Sequence, residues 1–380
     1  MLKKIRVLRL ASFSGNMGDV INHHGSVLFF NKVFDSNFEF FNLEIRDYFK
    51  KKNFDTSFVK LVNSYDLFVI GGGGYFETWV KNKTSSTTLD FSDKVIQSIK
   101  IPVIFYALGV NTWQGFSSNS KKIFSLFLKK IINKKNFFLT VRNDGSFSQL
   151  KSFLDKSLLK KVSIVGDGAF FLDSFKKKKT LKKKNFVLGI NLASDLFEFR
   201  FKNKKNYKNF IKETSLFFSK ALSFNEKMKI ILIVHVWSDY KIVNDLLATL
   251  PDDLRRRCIE VSQFNPSVNG IEDFFKIINS CDIIMGNRFH SNISSLISGV
   301  PTIGLVNFPQ ILSLYKELNL KNMTVNMKSK NLSEKLFKKF LFFKENRKKI
   351  IHLQNEKVKN VRKNSFLQAN KIKQWLKFFF

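Results

Sequence analysis

Arg288 and His290 are the residues of this 380-residue sequence whose types and spacing are best suited to chemistry. An apolar strand pattern ends at Gly286, and a short helical pattern with Ser291 in its first turn closes at Gly299. The pair therefore lies at a helix N-terminus, where free amide groups and the helix dipole favour an anion. A fixed cation, a titratable imidazole and free amides could together bind a phosphate and move a proton beside it. We expect His290 to be catalytic, and Arg288 and Ser291 to bind an anionic donor.

Two further segments place glycines or short polar side chains directly after an apolar strand pattern. The first strand pattern is followed by a loop in which Asn16 and Asp19 precede and begin a helical pattern. Both are candidates for the acceptor side of a site, although Asp19 also fits a helix cap. Another strand pattern runs into Gly71–Gly74, and such a run lets a ligand approach the backbone of Gly72 and Gly73, which we assign to donor binding. The run has neither the P-loop lysine nor the G-x-G-x-x-G spacing of dinucleotide sites.

Charged and titratable side chains follow strand patterns at two other places. Arg142 ends a strand, and its guanidinium could hold a carboxylate or phosphate of the donor in bidentate fashion. A salt bridge between Arg142 and Asp144 is the alternative, and the sequence does not decide between the two. His235 and Asp239 follow a later strand and are candidates for contact with an acceptor.

The elements that must position these residues alternate between short apolar strand patterns and longer helical patterns. This alternation is typical of parallel sheets covered by helices. We predict strands at Lys4–Ser12, Leu67–Ile70, Val103–Leu108, Phe138–Val141, Val162–Val165, Phe186–Asn191, Lys229–His235, Ile259–Val261, Ile283–Met285 and Thr302–Val306. We predict helices at Ser120–Asn133, Asp144–Phe153, Tyr207–Phe224, Tyr240–Thr249, Ile271–Asn279 and Ser291–Ser298.

A run of seven lysines in nine residues, Lys176–Lys184, divides the strand patterns into two groups. Such a run is typical of a solvated linker. We therefore predict an α/β protein with Rossmann-like, doubly wound domains at residues 1–175 and 185–330, followed by a basic helical segment at 331–380. Two such domains facing across a cleft describe the glycosyltransferase-B architecture. In doubly wound sheets, ligands bind beyond the carboxyl ends of the strands.

Composition narrows the class of protein further. The hydrophobic fraction of 44% fits a globular chain, and the two cysteines, Cys258 and Cys281, provide neither a disulfide framework nor a zinc site. We expect no bound metal. No apolar run approaches the roughly 18 residues of a membrane span, and Arg6 and Arg9 interrupt the apolar run near the N-terminus. We expect a cytoplasmic protein in a reducing compartment.

The formal net charge of +35 points towards nucleic acid or an anionic membrane surface as a partner. No helix-turn-helix, zinc-finger or RNA-binding signature accompanies the charge, so we expect no specific nucleic-acid partner. Lysines are scattered through every segment alongside 45 phenylalanines, which is the pattern that AT-rich coding produces. We favour coding bias, and loose association with the inner face of a membrane remains the alternative.

In these motifs and their order the chain resembles the polysaccharide pyruvyl transferase family. The resemblance covers most of residues 1–320 and is carried by Asn16-x-Gly18-Asp19, Gly71–Gly74, Val141-Arg142-Asn-Asp144-x-Ser146, Gly166-Asp167-Gly-Ala-Phe170, Arg288-Phe-His290 and Gly299-Val-Pro301. It implies a fold similar to glycosyltransferase-B. It also implies transfer of the enolpyruvyl group of phosphoenolpyruvate to two hydroxyls of a sugar, which forms a pyruvate ketal and releases phosphate. The expected partners are phosphoenolpyruvate and a cell-surface glycan or lipid-linked saccharide, with no separate cofactor.

The resemblance also implies roles for individual residues. Arg142 and Arg288 would hold the phosphate and carboxylate of the donor, and His290 would act as the acid and base. The chain departs from the family after the strand at Thr302–Val306, where family members often have Tyr/Asp-x-Lys and this chain has neutral Gln310. The sequence does not determine the acceptor sugar or the hydroxyls that are joined.

Two other functions remain open at this stage. A glycosyltransferase-B enzyme that uses a nucleotide-sugar often binds ribose through a glutamate, and no glutamate lies near Ser294 and Ser295. A basic nucleic-acid or membrane-surface binding protein without catalysis is the alternative from a different class. The presence of Arg142, Arg288 and His290 argues against the second alternative.

Overall fold

The computed structural model describes residues 4–34, 38–49, 51–173, 175 and 185–380. They form two compact units. Unit 1 comprises Met1–Phe13, Asn22–Phe171 and Val361–Phe380, and unit 2 comprises Ser14–Ile21 and Leu172–Asn360. The predicted Lys-rich linker, Lys176–Lys184, lies outside the described residues. The predicted segment 331–380 is divided between the units, because its last twenty residues belong to unit 1.

Parallel strands and intervening helices alternate along the described chain. The strands are β1 (Ile5–Ala11), β2 (Phe38–Glu44), β3 (Leu67–Gly71), β4 (Phe76–Glu77), β5 (Val103–Leu108), β6 (Val110–Asn111), β7 (Phe137–Arg142), β8 (Ser163–Val165), β9 (Phe186–Asn191), β10 (Met228–Leu232), β11 (Ile259–Val261), β12 (Ile283–Gly286), β13 (Thr302–Val306) and β14 (Thr324–Asn326). The helices are α1 (Met17–Phe34), α2 (Thr56–Asn63), α3 (Asp93–Ser98), α4 (Ser118–Asn133), α5 (Ser146–Leu150), α6 (Lys156–Leu159), α7 (Phe197–Phe201), α8 (Lys204–Phe224), α9 (Asp239–Leu247), α10 (Asp252–Cys258), α11 (Ile271–Ser280), α12 (Phe289–Ser298), α13 (Pro309–Glu317), α14 (Leu332–Glu345) and α15 (Arg347–Leu376).

Unit 1 is built on a parallel sheet with the strand order β2-β1-β3-β5-β7-β8. Every residue of β3 and β5 is buried, because helices cover both faces of a parallel sheet and its central strands contact no water. The strand order reverses between β1 and β3. A doubly wound sheet binds ligands at the carboxyl ends of the strands on either side of such a reversal. In unit 1 these ends lead into Ser12 and into the glycine run at Gly71–Gly74.

Unit 2 is built on a second parallel sheet with the strand order β11-β10-β9-β12-β13-β14. Its order reverses between β9 and β12, which pair from Leu188 to Asn191 with Ile283 to Gly286. The carboxyl ends of these two strands lead into Ala193 and into Arg288. The strand order therefore places the Arg288-x-His290 motif at the reversal point of unit 2.

Four of the predicted strands agree with the structure at both ends. The strands predicted at Val103–Leu108, Phe186–Asn191, Ile259–Val261 and Thr302–Val306 are confirmed without a shift at either end. The predicted helix Asp144–Phe153 was too long, since α5 spans Ser146–Leu150 and follows Gly145, whose φ is +87°. The edge strands β2 and β14 were missed, because half-buried edge strands lack a continuous apolar run.

The last helix, α15, is long, basic and polar along most of its surface. Its buried positions in unit 1 are Ser365, Ala369, Ile372 and Leu376, a spacing that forms one stripe along a helix. Ser365 accepts a hydrogen bond at its Oγ from the amide of Gly166, at 2.9 Å. None of the helices in the described part of the chain combines the length and the apolar character needed to cross a membrane.

We expect Ile372→Ala to lower the free energy of unfolding by about 2–5 kcal/mol, because it removes a fully buried side chain from this stripe. Urea denaturation of the full chain measures the change. Leu367→Ala is the matched control on the same helix, since Leu367 is exposed and its truncation should change stability by less than about 0.5 kcal/mol. Equal effects of the two substitutions would show that the stripe does not anchor the helix.

Candidate active site

The backbone around Arg288 is fixed by side chains at the ends of β9 and β12. Asn191 Oδ1 accepts a hydrogen bond from the amide of Arg288 at 2.9 Å. Asn287 Oδ1 in turn accepts from the amide of Ala193 at 3.1 Å, so each strand end is bonded to the other. Asn191 and Asn287 are both buried. These two asparagines hold the start of α12 in one position relative to the sheet of unit 2.

The guanidinium of Arg288 is bound by two carboxylates. Its Nε lies 2.9 Å from both carboxylate oxygens of Asp239, and its Nη1 lies 3.1 Å from Oδ2 of Asp195. Burial acts to lower the pKa of Arg288, but Asp239 and then Asp195 outweigh it and raise the pKa above its ordinary value. Arg288 is therefore a fixed cation whose orientation is set by its carboxylate partners.

Asp239 supports the site from within and is itself fully buried. Besides Arg288, its Oδ2 accepts hydrogen bonds from the amides of His235 at 3.0 Å and Val236 at 3.4 Å. Asp239 is the first residue of α9 and so connects the end of β10 to the start of α12. These contacts make it a positioning residue in this structure, and its predicted contact with an acceptor stays a prediction.

His235 lies beside Arg288 and His290 with only 1% of its surface exposed. Its ring packs edge-on against Phe274, with 5.0 Å between the ring centroids, and its Nε2 has no hydrogen-bond partner among the described residues. Burial, followed by the charges of Arg288 and His290, lowers the pKa of His235 well below its ordinary value. The imidazole is therefore neutral at neutral pH, and its predicted contact with an acceptor stays a prediction.

The loop before α1 contacts this group of residues. Asn16 pairs with Val236 in an antiparallel bridge, and its Oδ1 accepts a hydrogen bond from the amide of Gly18 at 2.8 Å. A Cβ atom at Gly18 would lie 2.3 Å from Nδ1 of His290, so only glycine leaves room for this imidazole. Asp19 follows in the first turn of α1. Gly18 thus lies against His290 although some 270 residues separate them in sequence, and the predicted contacts of Asn16 and Asp19 with an acceptor stay predictions.

His290 and Ser291 occupy the first turn of α12. The N-cap residue of this helix, Arg288, makes no capping hydrogen bond with its side chain, because its guanidinium binds the carboxylates of Asp195 and Asp239. His290 is partly exposed. Ser291 is fully buried, and its Oγ has no hydrogen-bond partner among the described residues. The arrangement joins a partly exposed imidazole to a fixed cation at a helix N-terminus, a combination that can bind an anion beside a titratable group.

A pocket that the sequence analysis missed lies next to Arg288 in unit 2. It has a volume of about 230 Å³ and is lined by three cations, Arg200, Lys202 and Lys328, and by no carboxylate. Arg200 is 5% exposed, and its Nη1 donates to Oδ1 of Asn307 at 2.6 Å. Burial, then Lys202 and Arg200, lowers the pKa of Lys328. The pocket therefore carries positive charge that its own lining does not neutralise.

Asp195 joins this cationic pocket to Arg288. One of its carboxylate oxygens lies 3.1 Å from Nη1 of Arg288, and the other lies 3.2 Å from Nη2 of Arg200. Asp195 and Arg200 follow the end of β9, and their signal in the sequence was a strand end followed by a short polar segment. The same kind of position led to the prediction of Arg142, His235 and Arg288 at other strand ends, whereas Asp195 and Arg200 were missed.

Arg142 lies in unit 1 and is held in a separate network of buried charges. Its Nε lies 2.9 Å from Oδ2 of Asp144, and its Nη1 lies 3.3 Å from Oδ2 of Asp167. All three side chains are buried. Burial acts to lower the pKa of Arg142, but Asp144 and Asp167 raise it above its ordinary value. The salt bridge between Arg142 and Asp144, left open by the sequence, is therefore present, and donor binding by Arg142 stays a prediction.

The glycine run of unit 1 is required by the packing of the chain against itself. The φ of Gly72 is +81°, and a Cβ atom there would lie 2.4 Å from Nδ2 of Asn22. At Gly73 a Cβ atom would lie 2.3 Å from the ring of Tyr75. These contacts explain both glycines without a ligand, and their predicted role in donor binding stays a prediction. Within the described ranges, no three His, Cys, Asp or Glu side chains gather into a group that could hold a metal ion.

Comparison with known proteins points to one family and one fold. The sequence profile of the polysaccharide pyruvyl transferase family matches residues 16–307. The fold is similar to that of a glycosyltransferase from Rickettsia africae, with a TM-score of 0.58 and 10% identity over 99% of this chain and 98% of that one. It is also similar to Anabaena HepE in complex with UDP and glucose, with a TM-score of 0.55 and 11% identity over 98% and 99%. S. aureus MnaA, solved with UDP, gives a TM-score of 0.57 at 10% identity over 99% and 96%.

These structural similarities confirm the predicted glycosyltransferase-B type of fold. At identities near 10% they show the fold alone. Among proteins of curated function, none matches the chain in sequence.

We expect His235→Phe to reduce the loss of stability in acid. The unfolded chain takes up a proton at His235 below about pH 6.5, whereas the folded chain resists it, so the free energy of unfolding falls as the pH drops. Between pH 7 and pH 5 the variant should lose less stability than the wild type, by on the order of 1 kcal/mol. Urea denaturation measures the free energy of unfolding at both pH values. A change in stability that the substitution causes equally at pH 7 and pH 5 cancels in the difference.

His352→Phe is the control for this measurement, because His352 is an exposed histidine on α15 and its replacement should keep the wild-type dependence on pH. An unchanged acid loss in His235→Phe would assign the titration to another group.

Proposed function

Because the chain belongs to the polysaccharide pyruvyl transferase family, we propose that it transfers the enolpyruvyl group of phosphoenolpyruvate to a sugar of a cell-surface glycan or of its precursor. The product is a pyruvate ketal, and phosphate is released. The observation that carries this proposal is the gathering of Arg288, His290 and the N-terminus of α12 at the strand reversal of unit 2. The reaction takes place in the cytoplasm, where phosphoenolpyruvate is available.

The chemistry requires a proton donor beside a bound anion. Protonation of the methylene carbon of phosphoenolpyruvate gives a methyl group and an oxocarbenium-like centre at the neighbouring carbon. One sugar hydroxyl attacks that carbon, the bond to the phosphate oxygen breaks, and a second hydroxyl completes the ketal. Of the two protons that the hydroxyls lose, one balances the proton added to the methyl carbon and the other leaves with phosphate. His290 gives the first proton and regains one from an attacking hydroxyl.

The neighbours of His290 support its role as the proton donor. Gly18 leaves the space in which the imidazole lies, and Arg288 presents a fixed positive charge two residues before it. His235 is buried and its pKa is well below the ordinary value, so it is a neutral imidazole and not a charged acid at neutral pH. Of these two histidines, only His290 is both partly exposed and placed at the helix N-terminus.

The donor carries a phosphate and a carboxylate, and unit 2 offers positive charge for both. Asp239 and Asp195 compensate the charge of Arg288, whereas the pocket of Arg200, Lys202 and Lys328 lacks a carboxylate in its lining. We place one anionic group of the donor in this pocket and the other at the start of α12. The pocket thereby supplies the cation that Gln310 does not provide.

Release of phosphate from phosphoenolpyruvate, measured with a panel of acceptor glycans, tests the proposed reaction. We expect release that depends on both phosphoenolpyruvate and a glycan. Phosphoenolpyruvate should also raise the melting temperature of the protein, because a ligand that binds only the folded state stabilises it. Stabilisation by UDP-sugars with no effect of phosphoenolpyruvate would instead assign the protein to nucleotide-sugar glycosyl transfer.

The cationic pocket is tested in the same assay with Lys328→Ala. This variant should raise the KM for phosphoenolpyruvate by about tenfold, the effect of losing one charged hydrogen bond of about 1.4 kcal/mol, while kcat stays within a few-fold. Lys276→Ala is the control, because Lys276 is an exposed lysine on α11 away from this pocket. An unchanged KM in Lys328→Ala would remove the pocket from the donor site.

We expect His290→Asn to lower turnover by roughly two to four orders of magnitude, the usual range for loss of a general acid and base. Asparagine keeps a hydrogen-bonding side chain but cannot donate a proton at neutral pH, so the affinity for phosphoenolpyruvate should stay within a few-fold. Single-turnover kinetics and donor titration separate the two quantities. His352→Asn, a substitution of an exposed histidine, should leave both unchanged. Near-normal turnover with a raised KM in His290→Asn would make His290 a ligand and not the acid.

A further inference from the structure

Unit 1 contains a cavity of about 600 Å³ that none of the residues discussed so far lines. Its walls come from two segments, one after the edge strand of the large sheet and one after a strand of the two-stranded sheet β4-β6. One segment follows β2 and contributes Phe49 and Asn53, and the other follows β4 and contributes Trp79, Asn82 and Asp90. This volume lies within the range of about 300–1,000 Å³ that is usual for small-molecule sites.

Two large aromatic side chains remain exposed on the wall of this cavity. Trp79 is 39% exposed and Phe49 is 40% exposed. The neighbouring Tyr48 stacks on Phe54, with 4.7 Å between ring centroids and 8° between ring planes, so the wall behind them is well packed. Exposed aromatic rings beside polar groups are typical of a binding surface, because a ligand that covers such a ring removes its apolar surface from water.

The loop that carries the polar side chains is held in one conformation by Asn82. Its Oδ1 accepts hydrogen bonds from the amides of Ser85 at 2.9 Å and Ser86 at 2.8 Å. Its Nδ2 donates to the carbonyl of Thr87 at 2.6 Å. Ser86 has a φ of +52°, and the bonds to Asn82 maintain this conformation. The backbone of this loop is therefore preorganised before any ligand binds, and the hydroxyl of Thr84 donates a hydrogen bond to the carboxylate of Asp90.

The loop is also bonded to the strand that precedes it. The carboxylate of Glu77 in β4 accepts a hydrogen bond from Oγ1 of Thr88 at 3.2 Å. Trp79 follows Glu77 by two residues and lines the cavity. An ordered wall loses little conformational entropy when a ligand binds.

We propose that this cavity binds a sugar residue of the acceptor glycan. A sugar ring presents a face of C–H groups and an edge of hydroxyls, which match the aromatic rings of Trp79 and Phe49 and the amide and carboxylate groups of Asn53 and Asp90. Lys52 and Lys81 also line the cavity, so an acidic substituent on the sugar is accommodated. The identification of the saccharide as the acceptor rests on the proposed function, whereas binding of the saccharide itself does not.

Saccharide binding is tested without the donor by saturation-transfer NMR on the full chain, with lactose, N,N′-diacetylchitobiose and mannobiose as probes. We expect at least one disaccharide to bind with a Kd in the millimolar range, and Trp79→Ala to weaken its binding at least tenfold. Phe116→Ala is the matched control, because Phe116 is an equally exposed aromatic side chain of unit 1 that packs on Phe153 outside the cavity. This control should bind as the wild type does.

Absence of binding by all three disaccharides, or equal binding in wild type and Trp79→Ala, would overturn the proposal. Displacement of the disaccharide by UMP, with loss of UMP binding in Trp79→Ala, would also overturn it and assign the cavity to a nucleotide. If saccharides bind but phosphoenolpyruvate yields no phosphate, the cavity stands and the proposed reaction fails. In an active enzyme, Trp79→Ala should raise the KM for the acceptor and leave that for phosphoenolpyruvate within about twofold.

Discussion

The ion pair between Arg288 and Asp239 is the interaction on which the candidate active site depends. Burying a guanidinium without a partner costs several kcal/mol, and Asp239 offsets that cost with a carboxylate that is itself fully buried. The same carboxylate binds the amides of His235 and Val236, so the position of one side chain fixes the end of β10 and the start of α9. Arg288 is thereby oriented before any substrate arrives, which is the preorganisation that electrostatic catalysis requires.

Glycine has different functions in the two units. At Gly18 the missing side chain leaves room for the imidazole of His290, so the glycine serves the site directly. At Gly72 the missing side chain leaves room for Asn22, and the positive φ adds a second reason for glycine. A glycine run after a strand therefore has two physical explanations, close approach of a ligand or close approach of the chain itself. The atoms that surround each glycine decide between them.

The positive charges of the protein also differ in how far neighbouring carboxylates compensate them. Arg142 is buried, Arg288 is largely buried, and each has two carboxylate partners that compensate its charge. Arg200 has Asp195 as its partner, but together with Lys202 and Lys328 it lines a pocket that contains no carboxylate. The lowered pKa of Lys328 is a consequence of its burial and of repulsion by the other two cations. A small anion would relieve the repulsion, whereas the overall charge of +35 gives no indication of where such a site lies.

The sequence by itself determined the α/β class, the parallel strands and the local setting of Arg288 and His290, because these follow from apolar runs and helix start signals over a few residues. Thr302–Val306 and Phe186–Asn191 could be predicted without error, since each strand is a continuous apolar run bounded by polar residues. Only the tertiary structure decided that Asp239 would hold Arg288 and that Gly18 would lie against His290. Such contacts depend on the order of strands in each sheet, which no local pattern encodes. For the same reason the sequence did not decide whether Arg142 binds a donor anion or Asp144, and the roles of Asp195 and Arg200 were not predicted.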